Sequence, residues 1–265
     1  MKLGIFDSGL GGLLMTRAVQ AHMPDLDIVY LGDTLRLPYG NRSETSIFEF
    51  TKRAIDFLFA QDCALVIIAC NTASATALRK LQQEYLPKAH PGRNVLGVIV
   101  PTLEAAIDKG FDKLGLIATN YTVNSNVFHE ELTKISPDIK FDQQATPLLV
   151  PLIENGGDLW VDDVLRHYLA PLKTSGVECL LLGCTHYSLL KDKIKTIVGD
   201  GVTLLCQDEI IPAKLENYLA RHPEYSDKIS RNGLAQFYVS DVTPHYRAAA
   251  EKIYGQAIEI EKVEL

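Results

Sequence analysis

Two segments of this 265-residue chain share one pattern: a short apolar run, a cysteine, then polar residues suited to opening a helix. The first is Leu65-Val66-Ile67-Ile68-Ala69-Cys70-Asn71-Thr72-Ala73-Ser74, and the second is Leu180-Leu181-Leu182-Gly183-Cys184-Thr185-His186-Tyr187-Ser188. Such runs read as buried strands, and the C-terminal ends of buried parallel strands are where α/β folds present reactive groups. Two of them bring one thiol from each of two halves to a shared site. That arrangement suits acid/base chemistry on opposite faces of one atom. The chain start agrees, because Lys2-Leu3-Gly4-Ile5-Phe6-Asp7-Ser8 resembles Lys113-Leu114-Gly115-Leu116-Ile117-Ala118-Thr119. The offset is 111 residues from Leu3 to Leu114 and 114 from Cys70 to Cys184. Strand–loop–helix patterns recur in any α/β protein, but two landmarks at nearly one offset point to duplication.

The pattern along the chain predicts strands at Leu3–Phe6, Asp27–Leu31, Leu65–Cys70, Val95–Ile99, a restart at Leu114, then Leu180–Cys184, Val202–Leu205 and Phe237–Ser240. Helices are predicted after the Gly9–Gly12 turn to Met23, from an N-cap at Ser43 to about Gln61, from Pro101 to about Lys109, and over 122–136, 158–175, 211–221 and 243–254. Residues 146–153 read as strand or loop. Strands alternating with helices give an α/β fold of two pseudo-symmetric domains, each a mostly parallel sheet flanked by helices, with the site in the cleft between them. The expected division is 1–98 plus 208–265 for the first domain and 99–207 for the second.

Composition excludes several function classes. A net charge of −7 and a pI near 5.5 oppose a nucleic-acid surface. No basic block suggests a membrane patch, no apolar stretch reaches a membrane span of about 18 residues, and the start is too short for a signal-peptide core. A cytoplasmic protein is expected. Five cysteines, an odd number without a CxxC pair, argue against disulfides and a zinc ribbon. Cys63, Cys179 and Cys206 read as small buried hydrophobes. The remaining histidines lack ligand spacing, so no metal site is expected. No lysine in the motifs points to a pyridoxal Schiff base.

The candidate site residues follow from the strand ends. Asp7-Ser8-Gly9-Leu10-Gly11-Gly12 opens a helix, but its glycines do not fit GxGxxG and no phosphate loop occurs. A carboxylate there suits an ammonium group or a thiol, and helix capping explains Asp7 and Ser8 equally well. Cys70 and Cys184 each precede an expected helix N-terminus, which favours thiolate. His186 can exchange a proton with Cys184. Asn71, Thr72 and Thr185 can meet a substrate carboxylate or simply cap helices. Tyr39 and Gly40 lie in a loop stiffened by Pro38. Asp33 and Glu154 are further carboxylates able to face a cleft in a supporting role.

These residues bear a specific resemblance. Phe6-Asp7-Ser8-Gly9-x-Gly11-Gly12, Gly32-Asp33-Thr34, Pro38-Tyr39-Gly40, Ala69-Cys70-Asn71-Thr72-Ala73-Ser74 and Gly183-Cys184-Thr185-His186-Tyr187 occur in the order found in the glutamate racemases of the aspartate/glutamate racemase superfamily, and the likeness spans nearly the whole chain. Ser74 favours the glutamate branch. The resemblance implies two-base racemisation of glutamate without a cofactor, yielding D-glutamate for peptidoglycan. It implies that Cys70 acts on D-glutamate with help from Asp7, and Cys184 on L-glutamate with help from His186. Asp7, Ser8, Tyr39, Gly40, Asn71, Thr72, Thr185 and His186 would bind substrate. The family often dimerises, so a homodimer is compatible, while the sequence itself leaves the oligomeric state open. Ser188, Leu14 and Leu35 depart from the family pattern. The short start implies no activation by a cell-wall precursor through an N-terminal extension. Three alternatives stand beside this: a racemase of aspartate or another acidic amino acid, a non-catalytic binding relative, and a one-thiol cysteine hydrolase. The last leaves the second cysteine motif unexplained.

Overall fold

A computed structural model describes all 265 residues. The strands are β1 (Lys2–Asp7), β2 (Ile28–Gly32), β3 (Cys63–Ile68), β4 (Asn94–Gly97), β5 (Lys113–Ala118), β6 (Lys140–Ala145), β7 (Cys179–Gly183), β8 (Thr203–Leu205), β9 (Ala235–Val239) and β10 (Ile260–Lys262). They form two sheets, in the orders β10-β9-β2-β1-β3-β4 and β6-β5-β7-β8. Every pairing is parallel. The segment β2-β1-β3-β4 of the first sheet has the order of the whole second sheet, so the duplication is visible in the topology. It extends past the strand ends. The Asp33 N–H donates to the Asp7 carbonyl at 3.0 Å, and the Thr146 N–H donates to the Ala118 carbonyl at 2.9 Å.

The cysteine-bearing strands are central. Cys63–Ile68 and Cys179–Gly183 are buried at every residue, because helices cover both faces of a parallel sheet and the strands are apolar on both sides. Alternate residues serve different cores: Leu3 and Ile5 pack with Leu13 and Val19 on one face, and Phe6 packs with Leu31 and Ile68 on the other. The second sheet divides likewise, with Leu114 and Leu116 on one side and Ile117 and Leu182 on the other. The chain leaves the first sheet at helix Ile99–Ile107 and returns along helix Gln207–Arg221, and the two helices pack together. No helix is long and apolar enough to cross a membrane.

The structure corrects several boundaries. Residues 149–154, within the 146–153 stretch read as strand or loop, form a helix, and the strand lies earlier, as β6. β6 is an edge strand of sequence KFDQQA, and its polar residues conceal it from periodicity. The stretch 122–136 is two helices, Asn120–Asn124 and Val127–Ile135, parted at Asn126, whose φ of 58° is left-handed. The helix expected from Pro101 starts at Ile99, with the proline in its first turn. The helix expected from Ile211 starts at Gln207 and carries Pro212 inside. β10, invisible to the sequence reading, closes the edge of the larger sheet.

Candidate active site

Both thiols line one cavity, whose lining includes residues just past the C-terminal ends of strands in both sheets. Ser8, Tyr39, Gly40, Cys70, Asn71 and Thr72 come from the first half; Cys184, Thr185 and His186 come from the second. Asp7, Asp33 and Glu154 lie outside that lining, each in contact with residues behind it.

Cys70 is the N-cap of helix Asn71–Lys80, two residues beyond β3, and its Sγ lies 3.4 Å from Ser8 Oγ. The helix terminus was expected to favour thiolate, and here the structure reverses the sign. Burial pushes the Cys70 thiol up to about 12, the Asp7 charge adds to the rise, and hydrogen bonds from Ser8 and the Ala73 N–H offset only part of it. The dry setting outweighs two donors.

Cys184 has a different partner. Its Sγ lies 3.7 Å from His186 Nδ1, and His186 Nε2 lies 2.9 Å from Glu154 Oε1. Burial opposes charge on this imidazole, yet its bonds to Cys184 and Glu154 prevail and raise its pKa well above the ordinary histidine value. Thr185–Leu190 is a 3₁₀ turn, and the α-helix begins only at Lys191. An α-helix N-terminus immediately after Cys184 was expected, and the structure places the 3₁₀ turn carrying His186 there instead.

Asp7 makes the helix-capping contacts that the sequence allowed. Its Oδ2 accepts the Gly9 and Gly12 N–H groups at 3.0 and 3.1 Å, which caps its own helix. Its Oδ1 also accepts Thr185 Oγ1 from the other half at 3.3 Å. Burial lifts Asp7 to about 6, with the His186 charge and these donors pulling the other way. Asp33 accepts the Tyr39 hydroxyl at 2.6 Å, Ser240 Oγ at 2.6 Å and Arg36 Nη1 at 2.8 Å. It therefore holds Tyr39 in place from behind. Burial and the Asp33 charge keep the Tyr39 phenol protonated.

Two glycines let the halves meet. A Cβ at Gly11 would stand 2.3 Å from Thr185 Oγ1, and one at Gly40 would stand 2.7 Å from Thr119 Cβ. Between them Thr72 Oγ1 lies 2.9 Å from Thr119 Oγ1, which lies 3.0 Å from Thr122 Oγ1. Sequence reasoning missed Thr119, Asn120, Thr146 and Val150, which also line the cavity. Thr119 was within reach, since the 111-residue offset maps Ser8 onto it. Of the departures from the family pattern, Ser188 donates to Asp208 Oδ1 at 2.6 Å, Leu14 is buried, and Leu35 is exposed. His, Cys, Asp and Glu side chains nowhere cluster in threes suited to a metal ion.

Paired parallel-sheet halves, each delivering one cysteine to a common cavity, define the class: a two-domain α/β protein with a thiol from each half in one pocket. Comparison with known proteins is consistent with that class. Residues 14–208 match the family described as Asp/Glu/Hydantoin racemase. The chain is 38% identical over 270 residues to a glutamate racemase of Neisseria gonorrhoeae, covering 99% of this chain and 96% of the relative. Among solved structures, glutamate racemase isoform RacE1 from Bacillus anthracis superposes with a TM-score of 0.90 at 30% identity, covering 100% of this chain and 97% of that one. The glutamate racemase of Francisella tularensis, solved in complex with D-glutamate, gives 0.89 at 31% identity, covering 99% and 97%. This chain belongs to the Asp/Glu/hydantoin racemase family.

Proposed function

We propose that the protein interconverts L- and D-glutamate by a two-base reaction that needs no cofactor, supplying D-glutamate for peptidoglycan. The observation that carries this reading is the convergence of Cys70 and Cys184 on one cavity with unlike partners. The Francisella relative's D-glutamate complex supports the choice of substrate.

Starting from D-glutamate, the Cys70 thiolate takes the α-proton and leaves the electron pair on the α-carbon, delocalised into the carboxylate. The Cys184 thiol then delivers its proton to the opposite face. Cys70 ends as thiol and Cys184 as thiolate, ready for the reverse turnover. A thiol raised to about 12 must still ionise. The substrate ammonium supplies the missing positive charge when it binds, and an opposite charge within about 4–6 Å favours the thiolate. On the other side the protonated His186, backed by Glu154, stabilises a Cys184 thiolate. Asp7 assists Cys70 as the acceptor of the thiol's proton, which also removes the carboxylate charge that opposes the thiolate, while Ser8, Tyr39, Gly40, Asn71, Thr72 and Thr185 hold the substrate. Orientation carries much of the rate, because sulfur is a weak base toward carbon.

The division into 1–98 plus 208–265 and 99–207 belongs to the same proposal, as do a cytoplasmic setting and a homodimer, the last checked by sedimentation. The test of the reaction is proton NMR of the purified protein in D2O with D- and then L-glutamate, no cofactor added. Deuterium entering the α-position with loss of optical rotation is the expected result. Exchange confined to aspartate or another amino acid would move the substrate, and no exchange with any would overturn the reading.

A further inference from the structure

Gln207, the first residue of the returning helix Gln207–Arg221, is buried beside the active-site wall. Its amide pairs face to face with that of Asn71, the residue after Cys70. Asn71 Nδ2 donates to Gln207 Oε1 at 2.7 Å, and Gln207 Nε2 donates to Asn71 Oδ1 at 2.8 Å. Gln207 Nε2 also donates to Thr102 Oγ1 at 3.2 Å. Thr102 Oγ1 in turn donates to the Val98 carbonyl at 2.6 Å.

The polarity of this relay is set at one end. A backbone carbonyl can only accept, so the Thr102 hydroxyl spends its proton on Val98 and accepts from Gln207. That fixes which end of the Gln207 amide is nitrogen, and hence that its oxygen faces Asn71. The Asn71 oxygen is then occupied by Gln207, and the second Nδ2–H of Asn71 has no partner in the protein. Asn71 lines the cavity. The relay therefore leaves Asn71 with one free N–H donor for whatever enters, while its oxygen already accepts from Gln207.

We propose that Gln207 is a positioning and specificity-setting residue: through the Thr102–Gln207–Asn71 relay it makes Asn71 a dedicated N–H donor toward a substrate carboxylate. This rests on the amino-acid racemase reading above. The next residue of the same helix reinforces it from the Cys184 side, where Asp208 accepts from Ser188. One helix start thus touches the segments that carry both thiols.

The experiment is steady-state racemisation by the full-length protein with glutamate, for wild type, Gln207→Leu, Gln207→Glu, Thr102→Val, Asn71→Ala and the Gln207→Leu/Asn71→Ala pair. Gln207→Leu is expected to raise KM about tenfold with kcat changed less than threefold, in line with one charge-assisted hydrogen bond. Gln207→Glu, nearly isosteric, keeps the acceptor for Asn71 but loses both donors, and is expected to raise KM as well. Thr102→Val releases the polarity and should give a smaller rise. In the Asn71→Ala background the Gln207→Leu effect should vanish, because the residue acts through Asn71. Additive effects, or a fall in kcat with KM unchanged, would overturn the proposal. If Gln207→Leu does not fold, Gln207→Glu and Thr102→Val decide by the same criterion. A wild type without activity would instead defeat the racemase reading itself.

Discussion

At the residue scale the two thiols are chemically unequal. Cys70 has only the Ser8 hydroxyl beside it, whereas Cys184 has an imidazole–carboxylate pair. Racemisation has an equilibrium constant of one, so a substitution on either side must lower kcat/KM equally in both directions. The asymmetry shows elsewhere. For His186→Asn we expect kcat/KM to fall by about 10²-fold both ways. Deuterium should still wash into D-glutamate through Cys70 faster than inversion occurs, and L-glutamate should show no such excess. The NMR assay in D2O reads both, and equal wash-in from the two enantiomers would contradict the assignment of faces. Asp7 supplies a stability signature. Its pKa rises from 3.8 unfolded to about 6 folded. The folded protein therefore holds that proton more tightly, and the stabilisation is present at low pH and lost as pH climbs through about 4 to 6. About two pH units correspond to about 3 kcal/mol. Urea unfolding of wild type against Asp7→Asn should show the difference between them shifting by that order across the window, with wild type losing ground. A pH-independent difference would show that burial does not perturb Asp7.

At the element scale, what was legible in the sequence follows from what each segment must bury. β3 and β7 are apolar on both faces, so their ends and their cysteines could be placed from sequence alone. β6 needed only a half-buried edge, so it carries Lys, Asp and Gln and escaped notice. Asn126 breaks a helix through a backbone angle that periodicity does not encode. The His186–Glu154 and Asn71–Gln207 contacts join residues 32 and 136 positions apart, and no local pattern announces them. The sign of the Cys70 shift failed for a similar reason: the helix end is local, but desolvation comes from the whole fold. Asp27 shows a distant contact with a clear consequence. Burial opposes its charge, but bonds from Ser230, Leu234 and Asn232 hold it down to about 2. These donors lie just before β9 and tie it to β2. Asp27→Ala should cost about 2 kcal/mol by stranding them. Hydrogen exchange should localise the loss to Ala235–Val239, and protection unchanged there would refute the tie.

At the scale of the whole molecule, the site exists only while the halves touch. Gly11 against Thr185 and Gly40 against Thr119 set that approach. Gly11→Ala places a methyl where Thr185 Oγ1 and the His186 N–H stand, with no room on either side. The fold of each half should survive, but a displacement of about 1 Å between catalytic groups costs on the order of 10²-fold in rate. A melting curve together with kcat separates the two effects, and an unimpaired rate would show that the halves do not need this contact.

The connectivity of the two sheets also bears on how the chain is made. β9 and β10, which complete the larger sheet, lie beyond residue 234, and all of the smaller sheet is encoded between β4 and β9. On the ribosome the later-starting unit is therefore the first whose strands are all available. Meanwhile β1 to β4 wait with the flank of β2 bare, an open strand edge of the sort that invites wrong partners. The polypeptide's last stretch acts as the clasp on its first, and a nascent chain halted before β9 would hold a finished second sheet beside an unfinished first one.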